Sequence, residues 1–172
     1  MVEAPGGGEG FKHDGWSFEF DRGDEGNKFK LDETRASAAL LLGRRTYEGF
    51  AEAWPSRTDD VGFADKFNSM PKYVVSTTLE SADWNNTTIL RSLDDVPKLK
   101  DDVEGELIVH GSPTLVQGLL EQDLVDELRL MVFPVVLGTG KRLWGETSDK
   151  KPFTLADAKT VGDGIAILTF RR

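Results

Sequence analysis

Two stretches of the chain set a glycine between an aliphatic run and a polar helix opening. The first is Leu40-Leu41-Leu42-Gly43-Arg44-Arg45-Thr46-Tyr47, and the second is Leu107-Ile108-Val109-His110-Gly111-Ser112-Pro113-Thr114. A strand that turns through glycine into a helix leaves the first-turn N–H groups without helical partners. It also points the positive end of the helix dipole at the carboxyl edge of the sheet. Such an edge holds phosphate whatever the net charge of the whole molecule. Arg44, Arg45, Thr46, Ser112 and Thr114 add hydrogen-bond donors there, where open α/β sheets take their ligands. Each junction alone is more often a plain turn, and paired arginines are more often a solvated face. Two junctions on one sheet edge suit a ligand with several phosphates. Neither strand is followed by Gly-x-Gly-x-x-Gly or by a Walker-type Gly-Lys-Ser/Thr, so those dinucleotide and triphosphate signatures are missing.

Composition narrows the classes. The 172 residues carry 30 acids and 21 bases, a formal charge of −9. That balance excludes a duplex-coating protein, which needs a clustered basic face, and no nucleic-acid partner is expected. With no cysteine there is no thiol nucleophile, disulfide or thiolate metal site. The two histidines, His13 and His110, stand far apart with no ligand spacing, so no metal is expected. No Gly-x-Ser-x-Gly elbow marks a serine hydrolase. The start, Met1-Val2-Glu3-Ala4-Pro5-Gly6, is neither basic nor apolar enough for a secretory signal. The apolar run Leu130–Leu137 is broken by Pro134 and is much shorter than the roughly 20 residues of a membrane span. A soluble, cytoplasmic protein with no membrane partner is the expectation, and the length suits one domain over residues 1–172.

The elements that must position the two junctions follow from hydrophobic period and breakers. Asp24 to Ala39 reads as helix, Leu40–Leu42 as a buried strand stopped by Gly43, and Arg44 to Trp54 as a second helix ended by Pro55. Lys72–Ser76 and Thr87–Leu90 read as strands, Leu93–Lys100 as a helix with Pro97 in its first turn, and Glu106–His110 as a strand. Ser112 suits an N-cap, with Pro113 opening a helix that runs on to Glu121. Strands follow at Glu127–Phe133, Phe153–Lys159 and Gly164–Phe170, the last two joined at Gly162-Asp163-Gly164. The alternation implies an α/β fold, a mostly parallel central sheet flanked by helices with a C-terminal antiparallel hairpin at its edge. Before it lies a glycine-rich, acidic arm carrying Trp16, Phe18 and Phe20. Aromatics at alternating positions need an apolar surface: the arm either packs on the domain or lines a flat pocket for a ring-shaped ligand.

With the motifs in place, the segment Leu41-Leu42-Gly43-Arg44-Arg45-Thr46-Tyr47-Glu48 resembles the cofactor segment of the dihydrofolate reductase fold. Val109-His110-Gly111-Ser112-Pro113-Thr114-Leu115-Val116 and Phe133-Pro134-Val135-Val136-Leu137-Gly138-Thr139-Gly140-Lys141-Arg142-Leu143 resemble the C-terminal reductase domain of the bacterial bifunctional riboflavin-biosynthesis deaminase-reductase. The likeness spans roughly Gly15 to Phe170 with the segments in the family's order.

The resemblance implies NADPH bound across the carboxyl edge. Gly43, Arg44, Arg45 and Thr46 would hold phosphates, Arg44 the adenosine 2′-phosphate with Ser76 and Thr77 beside it. Gly111 and Ser112 would face the pyrophosphate, with Thr114 close by. Many relatives carry two glycines joined by a cis peptide where Gly111-Ser112 stands, and Ser112 equally suits a plain helix cap. The implied reaction is hydride transfer to a small planar heterocycle or carbonyl compound, as in 5-amino-6-(5-phosphoribosylamino)uracil reductase or dihydrofolate reductase. Trp16, Phe18 and Asp21 are then the substrate side. The spacing that gives dihydrofolate reductases their acid lands here near Asn27, and Asp21, Asp24, Glu25 and Asp32 surround it without one standing out. The family also begins with a central strand that has no counterpart after Met1, so an upstream segment is expected. A homodimer through the strands around Leu128–Val136 is the family expectation. A binding or assembly protein that kept the fold without turnover is the competing class. NADPH oxidation across pteridines, aminopyrimidines and quinones separates the two.

Overall fold

The computed structural model describes residues 1–172. The chain forms two compact units, one of Leu31–Gly118 and one of Met1–Lys30 with Leu119–Arg172.

The first unit is an α/β layer built on a wholly parallel sheet. After helix α1 (Gly23–Ala36) come strand β1 (Ser37–Gly43), helices α2 (Arg44–Ala53) and α3 (Phe63–Ser69), and strands β2 (Lys72–Val75) and β3 (Thr87–Leu90). Helix α4 (Val96–Asp102), strand β4 (Glu106–Ile108) and helix α5 (Pro113–Glu121) follow. The strand order is β3-β2-β1-β4. Leu40, Leu41 and Leu42 are fully buried. A continuous aliphatic run of this kind is what a parallel strand covered on both faces requires.

The first long helix is shorter than its sequence pattern, which runs to Ala39. It stops at Ala36, and Ser37-Ala38-Ala39 enter β1 because Ser37 pairs with Glu106 and Ala39 with Leu107 of β4. Sheet pairing overrides the alanines' helix preference there. One face of α2 carries Tyr47, Phe50, Ala51 and Trp54, which pack with Phe67, Met70, Val74 and Trp84. Phe67 centres that cluster, 4.6 Å from the ring of Trp54 and 5.3 Å from that of Phe63.

Helix α3 has no counterpart in the sequence reading. Its cap is an acid placed outside the usual position: Asp59 accepts N–H bonds from Val61 (3.0 Å), Phe63 (2.9 Å) and Ala64 (2.5 Å). The N-cap itself is Gly62 at φ 78°. Those amides, Ala64 foremost and then Phe63, hold the Asp59 carboxyl below the usual carboxylate range.

The second unit holds an antiparallel sheet of β5 (Glu127–Val132), β6 (Thr154–Val161) and β7 (Ile165–Arg171), in the order β5-β7-β6. The C-terminal hairpin is present as expected, but it pairs with β5 in a sheet of its own and does not edge the parallel one. Ile165, Ile167 and Val161 face Phe20, Phe29, Met131 and Phe133. The tip Gly162-Asp163-Gly164 is bonded to the chain ahead of α1. Asp163 N–H donates to Asp21 O (2.9 Å), and Asp21 N–H donates to the Asp163 carboxylate (2.8 Å). A Cβ on Gly162 would stand 2.0 Å from Asp21 O, so that position admits only glycine.

The aromatic arm does not read as alternation suggests. Trp16–Glu19 is a 3₁₀ turn, which has about three residues per turn, so residue 18 leaves the face of residue 16, and Phe20 follows the turn with extended backbone. Trp16 is buried edge-on against Phe133 at 5.1 Å, with its indole N–H on Glu3 O, and Phe20 meets the same ring at 5.8 Å. Phe18 is 76% exposed.

Candidate functional site

The register of the parallel sheet fixes which residues meet at its carboxyl edge. Gly43 of β1 lies opposite Val75 of β2, and Val75 opposite Leu90 of β3. Leu40 lies opposite Ile108 of β4. The residues that follow these ends, Arg91, then Ser76 and Thr77, then Arg44 and Arg45, then Gly111 and Ser112, form one rim. From β1 the chain winds outward through β2 and β3 and returns as β4 on the other side of β1. The order reverses between β1 and β4, where open α/β sheets open a crevice for ligands.

Both junctions named from the sequence meet at that reversal, joined by hydrogen bonds. Gly43 N–H donates to Ser112 Oγ (3.0 Å), and Ser112 N–H donates to Thr46 Oγ1 (3.2 Å). Gly111 and Ser112 both adopt left-handed backbone, at φ 58° and 51°, and no peptide bond in the chain is cis. The Ser112 carbonyl accepts from Val116 N–H as a helix start should. Its hydroxyl reaches across to β1 and back to His110 O (3.3 Å), so it does not act as the plain cap of α5.

The start of α2 is open. Its N-cap is Gly43, no side chain caps it, and its first turn holds no acid. The first turn of α5 is likewise free of acids. Arg44 pairs with Glu48 one turn on, at 3.1 Å, with both side chains nearly half exposed. Arg45, Thr77, Gly111 and Thr114 are exposed on the rim. Ser76 is buried, and its hydroxyl accepts from the N–H groups of Thr78 (3.2 Å) and Leu79 (3.0 Å).

One rim residue escaped the sequence reading. Arg91, directly after β3, donates to Ser76 O (3.2 Å) and Leu79 O (2.6 Å), so it holds the turn that presents Ser76 and Thr77. In the sequence it is a lone arginine after a weak strand. Only the pairing of β2 with β3 sets it beside Ser76.

Trp16, Phe18 and Asp21 belong to the other unit. Asp21 is exposed and caps α1, its Oδ1 accepting from Gly23 N–H at 2.8 Å. Asp24, Glu25, Asn27 and Asp32 are exposed positions of α1, and the only buried acid is Glu33. No group of three or more histidines and carboxylates is placed to hold a metal ion, and no helix is long and apolar enough to cross a membrane.

A parallel α/β sheet whose order reverses beside two helix openings, edged with arginines, defines a class: an open α/β fold with its carboxyl-edge rim at the order reversal. Within that class the chain belongs to the RibD C-terminal domain family, whose model matches residues 8–167. It is 26% identical over 136 residues to the uncharacterized protein YyaP of Bacillus subtilis, covering 76% of this chain and 72% of that one. It is 25% identical over 161 residues to YwjB of the same organism, covering 91% and 87%. Among solved structures it matches a candidate riboflavin biosynthesis protein from Shewanella sp. PV-4 with a TM-score of 0.73 and 22% identity, over 92% of this chain and 86% of that one. It also matches dihydrofolate reductase from Enterococcus faecalis in complex with NADP(H), with a TM-score of 0.54 and 16% identity, over 85% and 81%. At those identities the two structures establish the shared fold.

Proposed function

We propose that the protein is an NADPH-dependent reductase acting on a C=N or C=O carbon of a small planar heterocycle or carbonyl compound. The observation that carries this reading is the pair of helix openings bonded to each other at the order reversal of the parallel sheet. The family and the fold shared with an NADP(H)-bound enzyme support it.

The residues present fit the cofactor. The unpaired N–H groups opening α2, with Arg44 and Arg45 beside them, suit its phosphates, and a guanidinium suits the 2′-phosphate monoester. Gly111, Ser112 and Thr114 suit the pyrophosphate at the start of α5. NADPH, when bound, supplies the hydride. The chain's work is to hold the dinucleotide, align it with the substrate ring and exclude water. Arg91 contributes by fixing the Ser76–Leu79 turn.

The test is quenching of tryptophan fluorescence by NADPH, followed by NADPH oxidation with pteridines, aminopyrimidines and quinones. Binding near or below about 100 μM with turnover of one class supports the proposal, given that KM values commonly fall between about 1 μM and 1 mM. No binding at millimolar NADPH overturns it, and binding without oxidation of any panel member favours a fold-retaining binding protein. We further infer a homodimer, for which the charge-free face of the antiparallel sheet is the supporting feature.

A further inference from the structure

Lys72, the first residue of β2, is fully buried without a carboxylate to balance it. Its ammonium group donates to the main-chain oxygens of Asn68 (2.8 Å), Met70 (2.9 Å) and Asn85 (3.0 Å). That engages all three N–H donors of the group. The nitrogen also stands 4.3 Å from the ring centre of Trp84, within cation–π range. Asn68 and Met70 are at the C-terminal end of α3, where carbonyls lack helical partners and positive charge is favoured. Asn85 comes from the loop between β2 and β3.

The walls of this cage are bonded to both ends of α2. Trp84 main-chain N–H donates to Tyr47 Oη (3.1 Å), near the helix start. The Trp84 indole N–H donates to Asn68 Oδ1 (2.9 Å), and the Asn68 side-chain amide donates to Trp54 O (3.0 Å) at the helix end. The geometry points to a binding site for a primary ammonium ion, made of three carbonyls and an indole face, which Lys72 occupies from within the chain and through which it positions α2. Three convergent acceptors match an ammonium head, whereas a quaternary ammonium has no N–H to give them. This site is independent of the reductase reading, since its test needs no nucleotide. Lys72 is a positioning residue: its ammonium group bears on the rim through Trp84, Tyr47 and α2.

Lys72→Ala removes Cγ, Cδ, Cε and Nζ, a fragment with the heavy atoms of n-propylamine. Small ligands enter buried cavities made by such truncations. Thermal unfolding of the full chain is followed in propylammonium chloride and in tetramethylammonium chloride at equal concentration near neutral pH. The Trp84 indole N–H resonance reports the cage directly. Propylammonium is expected to raise the Tm of Lys72→Ala by about 3 °C or more at ten times its Kd and to return the indole resonance toward its wild-type position. Tetramethylammonium is expected to do neither. Lys72→Met, which fills the volume without donors, is expected to gain nothing from either salt. If Lys72→Ala does not fold unaided, its refolding yield in each salt reads the same selectivity. Equal effects of the two salts on Lys72→Ala, or an equal gain by Lys72→Met, would overturn the inference.

Discussion

At the scale of single residues, the rim and the cage make opposite demands on charge. Arg44 and Arg45 keep theirs in water, where a ligand can meet it, whereas Lys72 keeps its charge inside the first unit. Arg44→Ala is expected to raise the NADPH Kd by about tenfold or more and the NADH Kd by less than about threefold, because a charge-assisted bond to the 2′-phosphate exists in only one of them. Parallel titrations measure this, and equal losses remove the 2′-phosphate assignment. For Lys72, burial pushes the ammonium down to about 8 from its ordinary 10.5. Between those two values the folded chain binds fewer protons than the unfolded chain, so stability rises with pH across that window. Below pH 8 both states are protonated and the cost of the buried charge is present in full. The rise levels off above pH 10.5, where both states have lost the proton. Urea midpoints of wild type and Lys72→Met compared at pH 7.5 and pH 10 isolate it, and a parallel pH response in both contradicts the burial argument.

At the scale of elements, legibility follows the range of the forces involved. Strands β1, β2, β3, β4 and β5 are readable because a strand's aliphatic run and its terminating glycine or polar residue are local signals. Both anion-type junctions are readable for the same reason. What is not readable depends on partners far along the chain. The first residues of β1, Ser37-Ala38-Ala39, are made into strand by β4, α3 is capped from Asp59 across Gly62, and Phe18 points outward because residues 16–19 form a 3₁₀ turn. In the site, Arg91 and the Ser112–Gly43 bond exist only through the sheet register. The hairpin tip shows how a local glycine signal acquires a distant meaning. Gly162 is legible as a turn residue, but its requirement for glycine comes from the main chain at Asp21 and Arg22, which would lie 2.0 Å and 2.5 Å from any Cβ placed there. Gly162→Ala is expected to cost more than about 2 kcal/mol, measured by chemical denaturation, because backbone must shift on both sides. A change below about 0.5 kcal/mol would show that the tip yields easily. Asp59→Ala is expected to speed amide exchange over Phe63–Ser69. The same fraying is expected in wild type as pH falls through the lowered carboxyl pKa, since stability from a depressed acid is lost in that direction.

At the scale of the whole molecule, the antiparallel sheet presents an apolar surface without charge. Its cross-strand rows on one face are Leu128–Phe170–Leu155, Leu130–Leu168–Ala158 and Val132–Ala166–Thr160. Glu127, Arg129, Asp157, Lys159 and Arg171 all alternate onto the opposite face, where Arg129 and Arg171 pair with Glu127. Leu155 and Val132 are about half exposed, and Val136, just beyond β5, is 93% exposed. Three strands about 4.8 Å apart and about six residues long give such a face roughly 300 Å². A stable interface takes about 800 Å² per partner. In two copies stacked face to face at about 10 Å this face is therefore the centre of a larger contact that takes in the exposed Pro134–Val136 segment and more beyond it. Because Val132 and Leu155 already meet solvent in the single chain, Val132→Lys and Leu155→Lys are expected to change its folding stability by less than about 0.5 kcal/mol. In a dimer the same lysines would bury unpaired charge at the centre of the contact. Light scattering behind a sizing column is expected to give a dimer mass for the wild type at tens of micromolar and a monomer mass for the double variant. A monomeric wild type at that concentration, or a double variant that remains dimeric, rules this face out as the contact.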